Sequence, residues 1–207
     1  MTGEEVRRHR RLEHPRERVI EEAWALLAER GLAELSLSEL GRRLDTSAGH
    51  LSYYFGSKNG LLLELLRWSE GELAEQRAAI LASDVPAVER LHRLCTLNFP
   101  RAPGDPRWLL WVELWPRLMY EPALREAQLE YDAAWRAAIT AILTELTDDV
   151  ETLTERVIAL VDGLSVVLLI GDSPLTVEGA WDHVRTLLPT GNSGRERTPP
   201  TRGRRRR

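Results

Sequence analysis

The sequence predicts an all-α fold, and three observations lead to that prediction. Apolar residues recur every three or four positions along most of the chain, which is the spacing of a helix buried on one face. No stretch alternates apolar and polar residues between turn residues, as a half-buried strand would. Prolines, serines and glycines stand where helices begin and end. With 207 residues, 43% of them hydrophobic, the chain is long enough to bury a core.

The first two helices are predicted from their end signals. Pro15 suits the first position of a helix, and Gly31 suits the position just past its end. The pattern SLSE that follows is a capping box, in which the Ser36 hydroxyl accepts the Glu39 N–H and the Glu39 carboxylate reaches back to Ser36. It predicts a short helix over 37–44.

The next two helices are predicted from serines that precede them. Ser47 is placed as the N-cap of a short third helix, Ala48–Tyr54. Ser57 is placed as the cap of a long fourth helix that reaches about Ala82. The third helix is unusual, because its sequence AGHLSYY holds small, polar and aromatic residues where a buried helix would hold leucine and alanine.

Five further helices are predicted near 85–98, 106–120, 122–146, 153–171 and 175–188. Pro116 should kink or split the second of these, because proline cannot join the helical hydrogen-bond ladder. The segment from residue 190 onward is rich in Gly, Pro, Ser, Thr and Arg and has little to bury, so it is predicted to be disordered. The expected domains are therefore 1–60, 61–190 and a tail of 191–207.

Two short helices joined by a tight turn behind a longer helix make a helix-turn-helix unit, whose second helix enters the DNA major groove. Leu51 and Phe55, four residues apart, would anchor that helix inward. The outward residues could approach DNA closely and bond base edges or phosphates. The alternative is that Tyr53 and Tyr54 are half-buried core aromatics and His50 is a surface residue. The predicted DNA contacts are Ser36, Ser38, Ala48, Gly49, His50, Ser52, Tyr53, Tyr54 and Lys58.

The charge distribution restricts any contact with DNA to part of the chain. The formal net charge is −4, yet residues 61–190 carry eleven positive and twenty-one negative side chains. Residues 191–207 carry seven positive and one negative. The arm RRHRR, Arg7–Arg11, and the final RGRRRR could lie along phosphates, or the final segment could be a solvated tail.

Two quoted segments carry a family resemblance: ERGLAELSLSELGRRL and TSAGHLSYYFGSKNGLL. Residues 15 to about 62 resemble the DNA-binding domain of the TetR family of bacterial transcriptional repressors. The segment LSYYFGSKNGLL is most similar to the choline-responsive repressors of betaine-synthesis genes, and WLLWVELW and LVDGLSVVLL resemble the C-terminal half of that subgroup. The chain departs from the family at Asp45-Thr46, where Gly-Val is usual, and at Gly41, where Ala is usual.

A helix-turn-helix unit needs a partner copy to read a palindromic operator, and the last two helices are the predicted dimer surface. The segment VIALVDGLSVVLLI is apolar nearly all round, as a helix buried on several sides should be. The resemblance implies a four-helix bundle across a dimer axis; an intramolecular core helix is the alternative. The predicted dimer residues are Leu160, Gly163, Leu164, Val167, Trp181 and Val184.

The aromatic residues of the middle helices predict an effector pocket. Trp108, Trp111 and Trp115 share one helix face. A tryptophan stripe can also be ordinary core. The resemblance places the family's inducer pocket among these helices, where an aromatic cage would suit a quaternary ammonium ion. The predicted ligand residues are Trp68, Cys95, Asn98, Trp108, Trp111, Trp115 and Tyr131. Glu113 should point away from them, solvated or paired.

The alternative function is a small all-helical enzyme that uses the Trp-lined cavity; a helical adaptor that binds only protein is a third. No cofactor or metal is expected, because the chain has one cysteine, no HExxH or CxxC motif and no Gly-rich phosphate loop. The N-terminus has no apolar signal segment, and the longest apolar run, 157–170, is short for a membrane span. A cytoplasmic dimer with double-stranded DNA and a small effector as partners is expected, without a membrane.

Overall fold

The computed structural model describes residues 15–189, and these are helical with no strand among them. The all-α prediction is therefore confirmed. Pro116 falls in a 3₁₀ helix, Trp115–Met119, that follows α6, so the predicted interruption is confirmed. The predicted basic arm and the predicted tail lie outside the described residues. The α-helices are α1 (Pro15–Glu34), α2 (Leu37–Arg43), α3 (Ala48–Phe55), α4 (Lys58–Ala82), α5 (Ala87–Asn98), α6 (Pro106–Leu114), α7 (Pro122–Leu143), α8 (Val150–Ile170) and α9 (Val177–Arg185).

The helix ends follow the residues that predicted them. Gly31 has φ 73° and breaks the regular path of α1, although one more turn continues to Glu34. The hydroxyls of Ser36, Ser47 and Ser57 each accept the N–H three residues on, at 3.1–3.2 Å. These three caps satisfy N–H groups that a helix start leaves without partners.

The Glu39 carboxylate binds arginines, and only the first half of the predicted capping box forms. It accepts hydrogen bonds from Arg42 and from Arg43, which lower its pKa to about 2, with the Arg42 bond the largest cause. Arg43 also pairs with Glu22 and Glu29 of α1. This cluster holds α2 against α1.

Two hydrophobic clusters form the core. The first joins α1–α4 and also takes in Leu110, Trp111 and Leu114 of α6 and the start of α7. The second joins α5, α8, α9 and the C-terminal half of α7. Helix α6 therefore packs with the N-terminal helices, and the predicted boundary near residue 60 does not divide the core.

Helix α8 has two apolar faces. Val157, Val161 and Ser165 are buried within the chain. The adjoining face leaves Gly163 and Val167 exposed and Leu160 and Leu164 half-buried. The two leucines also pack against the second cluster, and Ile170 continues the stripe at 68% exposure. The four predicted dimer residues of α8 therefore lie on an outward apolar stripe.

The prediction that Trp181 and Val184 of α9 belong to the dimer surface is wrong, because both are buried within their own subunit. Val184 is 0% exposed and Trp181 is 8% exposed. Both belong to the second hydrophobic cluster, and the Trp181 ring stacks on His92 of α5 at 4.7 Å. Helix α9 is only nine residues long, and its apolar side covers its own subunit.

Candidate functional site: an exposed aromatic helix and an acidic aromatic cavity

Helix α3 is anchored by two residues and exposed elsewhere. Leu51 is 1% and Phe55 is 6% exposed, which confirms them as the inward anchors. Gly56 ends the helix with φ 70°. Gly49 and His50 lie on the exposed side.

The two tyrosines of α3 stand outside the core. Tyr53 is 84% and Tyr54 is 43% exposed, so the half-buried alternative does not hold for Tyr53. The Tyr54 ring meets His50 edge-on at 5.0 Å and Tyr53 at 5.5 Å. Between residues 15 and 189, neither tyrosine hydroxyl has a hydrogen-bond partner. The surface thus offers two phenol groups and an imidazole to an external partner.

The other predicted DNA contacts are partly engaged in the fold. Ser38 is exposed, and Ala48 is half-buried. The Ser36 hydroxyl serves as a cap, and the Ser52 hydroxyl donates to the Gly56 carbonyl at 3.0 Å. Lys58 is half-buried, and its Nζ donates to the Leu32 carbonyl at 2.9 Å. In this conformation the Lys58 ammonium therefore ties α4 to α1 rather than extending toward a phosphate.

The turn between α2 and α3 explains the two departures from the family pattern. Asp45 takes a left-handed conformation, φ 50°, which aspartate tolerates better than most residues. A Cβ at Gly41 would lie 2.9 Å from the Thr46 carbonyl oxygen. The glycine in α2 therefore makes room for this turn, and the two unusual positions belong together.

A cavity of about 330 Å³ lies where the two hydrophobic clusters meet. Trp111 and Tyr131 come from the edge of the first cluster, whereas Cys95 and Ile139 belong to the second. Six of the seven predicted ligand residues line it: Cys95, Asn98, Trp108, Trp111, Trp115 and Tyr131. A ligand that enters the cavity would therefore contact residues of both clusters.

Trp68 was predicted to line this cavity, and that prediction is wrong. Its ring packs edge-on against Trp24 of α1 at 5.1 Å, and both line a different cleft. Glu70, two residues later on α4, faces the aromatic cavity instead. A step of two residues turns a helix by about 200°, which places Trp68 on the opposite face.

Glu70 is the deepest charged group of the cavity and is 2% exposed. Its Oε1 accepts the Trp111 indole N–H at 3.2 Å, and its Oε2 accepts the Trp135 N–H at 3.4 Å. Burial raises the pKa of Glu70, while Arg107 and the two indole donors oppose that shift. Sequence reasoning missed Glu70 because a lone carboxylate on a leucine-rich helix gives no local signal.

Two further carboxylates, Asp132 of α7 and Asp162 of α8, line the cavity, although both residues are exposed to solvent on their outer side. Asp132 accepts a hydrogen bond from Gln128 at 2.7 Å, and burial raises its pKa. Burial, with the neighbouring Asp132 carboxylate, raises the pKa of Asp162 to about 6. Asp162 has no hydrogen bond or ion pair to the rest of residues 15–189. Asp162 is thus a cavity carboxylate that the described part of the fold leaves open to a ligand.

The tryptophan side chains of the cavity are fixed in position. The Trp108 N–H donates to the Asn98 carbonyl at 2.7 Å, so Asn98 contributes its main chain. The Trp115 ring stands edge-on to Trp108 at 6.4 Å. The Arg77 guanidinium lies 4.8 Å from the Trp135 ring. These contacts hold the aromatic walls in place before any ligand arrives.

The cavity offers little for nucleophilic or metal chemistry. Burial raises the pKa of the Cys95 thiol to about 12, which keeps it protonated and unreactive. No histidine lines the cavity. Among residues 15–189, no three His, Cys, Asp or Glu side chains are grouped to hold a metal. No helix in that range is long and apolar enough to cross a membrane.

Comparison with known protein families gives a match in each half of the chain. Residues 19–65 match the bacterial regulatory proteins of the tetR family. Residues 87–190 match the C-terminal domain of BetI-type transcriptional repressors.

Three relatives show how far the similarity extends. The HTH-type transcriptional regulator BetI of Rhizobium meliloti (strain 1021) is 23% identical over 191 residues, which are 89% of this chain and 94% of the relative. BetI of Burkholderia thailandensis is 34% identical over 118 residues, 55% of this chain and 59% of the relative. A transcriptional regulator from Saccharomonospora viridis, solved in complex with choline, is 29% identical with a TM-score of 0.74, covering 83% of this chain and 94% of that one.

The helix-turn-helix unit and the helical domain behind it define a transcriptional regulator rather than an enzyme. The chain belongs to the TetR family of bacterial regulators and carries a BetI-type C-terminal domain. The resemblance that the sequence predicted is confirmed.

Proposed function

We propose that this chain is a cytoplasmic repressor that binds a palindromic operator as a homodimer and leaves it when a small cation fills the aromatic cavity. The observation that carries the proposal is the composition of that cavity, which four indole rings, one phenol ring and three carboxylates line. The predicted DNA contacts on α3 supply the second surface such a regulator needs.

A quaternary ammonium ion of the size of choline is the effector that this cavity supports best. Cations bind over aromatic faces, most strongly where water is excluded. Asp132 and Asp162 add negative charge at one side of the cavity, and Arg136, the cationic residue of its wall, pairs with Glu155. The relative from Saccharomonospora viridis was solved with choline bound.

The dimer is proposed to form through the outward apolar stripe of α8. Val167→Glu would place a charge in the centre of that stripe and should give a monomer in sedimentation experiments, because an unpaired charge is costly to bury. Ala141→Glu introduces the same charge at an exposed position of α7 and should leave the mass unchanged. A Val167→Glu protein that remained dimeric would contradict this surface.

Release follows from a population shift between two spacings of the reading helices. The effector must bind one state more tightly than the other, or it changes nothing. A coupling free energy of about 1–3 kcal/mol corresponds to a roughly 5–150-fold loss of operator affinity.

The test combines operator selection with a titration of two compounds. Genomic fragments bound by the protein are selected, and one is used in gel shifts with choline or with 3,3-dimethyl-1-butanol, its uncharged analogue. Choline should release the fragment, and the neutral analogue should not. Equal release by both would contradict a cation site, and no response to a wide set of cations would contradict effector control.

A further inference from the structure

The main chain at Leu32 is held from two sides. Its N–H donates to Glu113 Oε1 at 3.2 Å, and its carbonyl accepts from Lys58 Nζ at 2.9 Å. Glu113 belongs to α6 and Lys58 is the first residue of α4. One residue near the end of α1 therefore connects a wall of the cavity to the helix that follows α3.

The kink at Gly31 makes this arrangement necessary. With φ 73° and ψ 177°, Gly31 leaves the helical path, so the next N–H cannot continue the regular ladder of α1. The Leu32 side chain is 1% exposed, and a buried N–H without a partner would be costly. The Glu113 carboxylate supplies that partner from the side of α6 that faces away from the tryptophans.

Helix α6 presents its two faces to different parts of the molecule. Trp108 and Trp111 line the cavity, whereas Glu113, about 200° around the helix from Trp111, reaches α1. Within residues 15–189, the Glu113–Leu32 bond is the one hydrogen bond between α6 and α1. A shift of α6 that follows ligand entry would therefore act on Leu32 directly.

We propose that Glu113 is the positioning residue through which an occupied cavity acts on the DNA-binding helices. The proposal rests on the proposed function. In it, ligand entry moves α6, the Glu113–Leu32 bond is lost or realigned, and the Lys58 contact on the same residue changes with it. Lys58 lies three residues beyond the end of α3, so a change there alters how α3 is presented to DNA. Coupling of this kind requires one element with two arrangements that both sites influence.

Two substitutions test the hydrogen bond itself. Glu113→Ala removes the acceptor, and Glu113→Gln keeps an amide oxygen that can accept the Leu32 N–H. Glu126→Ala removes a carboxylate from an exposed position of α7 and serves as the control. For each protein, choline affinity is measured by tryptophan fluorescence, and operator affinity is measured with and without saturating choline.

The expected result separates coupling from binding. Glu113→Ala should bind choline within about twofold of the parent, because Glu113 does not line the cavity. Its ratio of operator affinities without and with choline should fall by at least about fivefold. Glu113→Gln and Glu126→Ala should keep that ratio within about twofold.

Three outcomes would overturn the proposal. They are an unchanged ratio in Glu113→Ala, an equal loss in Glu113→Gln, and a Leu32 amide whose hydrogen exchange is the same with and without choline. The exchange measurement uses the unmodified protein and does not depend on how the variants fold. A parent protein that ignores choline while binding DNA would instead count against the proposed effector.

Discussion

Helices α3 and α6 both present aromatic side chains, but they do so in opposite ways. Tyr53 and Tyr54 of α3 lie in solvent with free hydroxyls within the described chain. Trp108 and Trp111 of α6 are buried, and their N–H groups are bonded to a carbonyl and a carboxylate. The fold thus leaves one aromatic surface unengaged and fixes the other.

The difference matches the partners that each surface would meet. A long, rigid polyanion needs a protruding surface with spare hydrogen-bonding groups. A small cation needs a preformed cavity whose walls do not collapse when it is empty. Substitutions at the exposed tyrosines of α3 should therefore change DNA binding without changing stability, and substitutions around the cavity tryptophans of α6 should change both ligand binding and stability.

The largest change in stability is expected at Glu70, the carboxylate that accepts hydrogen bonds from two cavity tryptophans. Glu70→Ala would leave the Trp111 and Trp135 indole N–H groups without their acceptor and remove the charge facing Arg107. A buried donor left without its acceptor costs about 1–3 kcal/mol, and urea unfolding would show it. Glu72→Ala, at an exposed position two residues on, should change stability by less than about 0.5 kcal/mol. Equal free energies of unfolding for the two variants would show that the hydrogen bonds to the cavity tryptophans do not stabilise the fold.

The next effect concerns α3 and should appear in DNA binding alone. Tyr53→Ala should weaken operator binding about 10-fold, because a base or phosphate contact is lost, while the free energy of unfolding changes by less than about 0.5 kcal/mol. Tyr120 is also 84% exposed, which makes Tyr120→Ala the matched control. Gel shifts and urea unfolding of both variants test the prediction; an equal loss of DNA affinity in the two would refute it.

The smallest effect is expected at Asp162, where binding and stability should change in opposite directions. Its folded pKa of about 6 exceeds the ordinary 3.8, so the folded state binds the proton more tightly. The contribution of Asp162 to stability therefore falls as pH rises from 3.8 through 6 and stays low above it. Asp162→Asn should stabilise the protein by about 1 kcal/mol at pH 8, a value reduced because the side chain is partly solvated.

The same carboxylate should make cation binding depend on pH. Below about pH 6, protonation of Asp162 removes a negative charge from the cavity, so choline affinity should fall roughly fivefold. The Asp162→Asn protein should bind choline weakly at pH 8 and lose less affinity on acidification. A parent affinity that is flat between pH 5 and pH 8 would exclude a role for Asp162 in holding the cation.

The sequence predicted the features that depend on local signals. The serine caps, the interruption at Pro116 and the inward anchors of α3 follow from short-range patterns and are confirmed. Gly31 leaves the helical path where the helix was predicted to end, although α1 continues to Glu34. Six of the seven predicted ligand residues line the cavity. The spacing of three tryptophans marked one helix face, and the family resemblance placed the pocket among the middle helices that carry Cys95, Asn98 and Tyr131.

Features that depend on which helices meet were not predictable in the same way. Helix α4 carries buried leucines on several sides, so its sequence does not show whether Trp68 or Glu70 faces the cavity. Trp181 and Val184 are apolar enough for a dimer surface, but α5 and α8 of the same chain already cover them. The pairing of Glu113 with Leu32 spans 81 positions, and no local pattern reports it.

Asp162 and Val167 lie on different sides of α8. Asp162 lines the cavity, and Val167 lies on the outward stripe. If a ligand in the cavity displaces α8, then in a dimer formed through that stripe cavity occupancy and subunit association are linked equilibria, and each alters the other by the same factor. Effector titrations of this chain would then depend on total protein concentration, and dilution alone would change the midpoint.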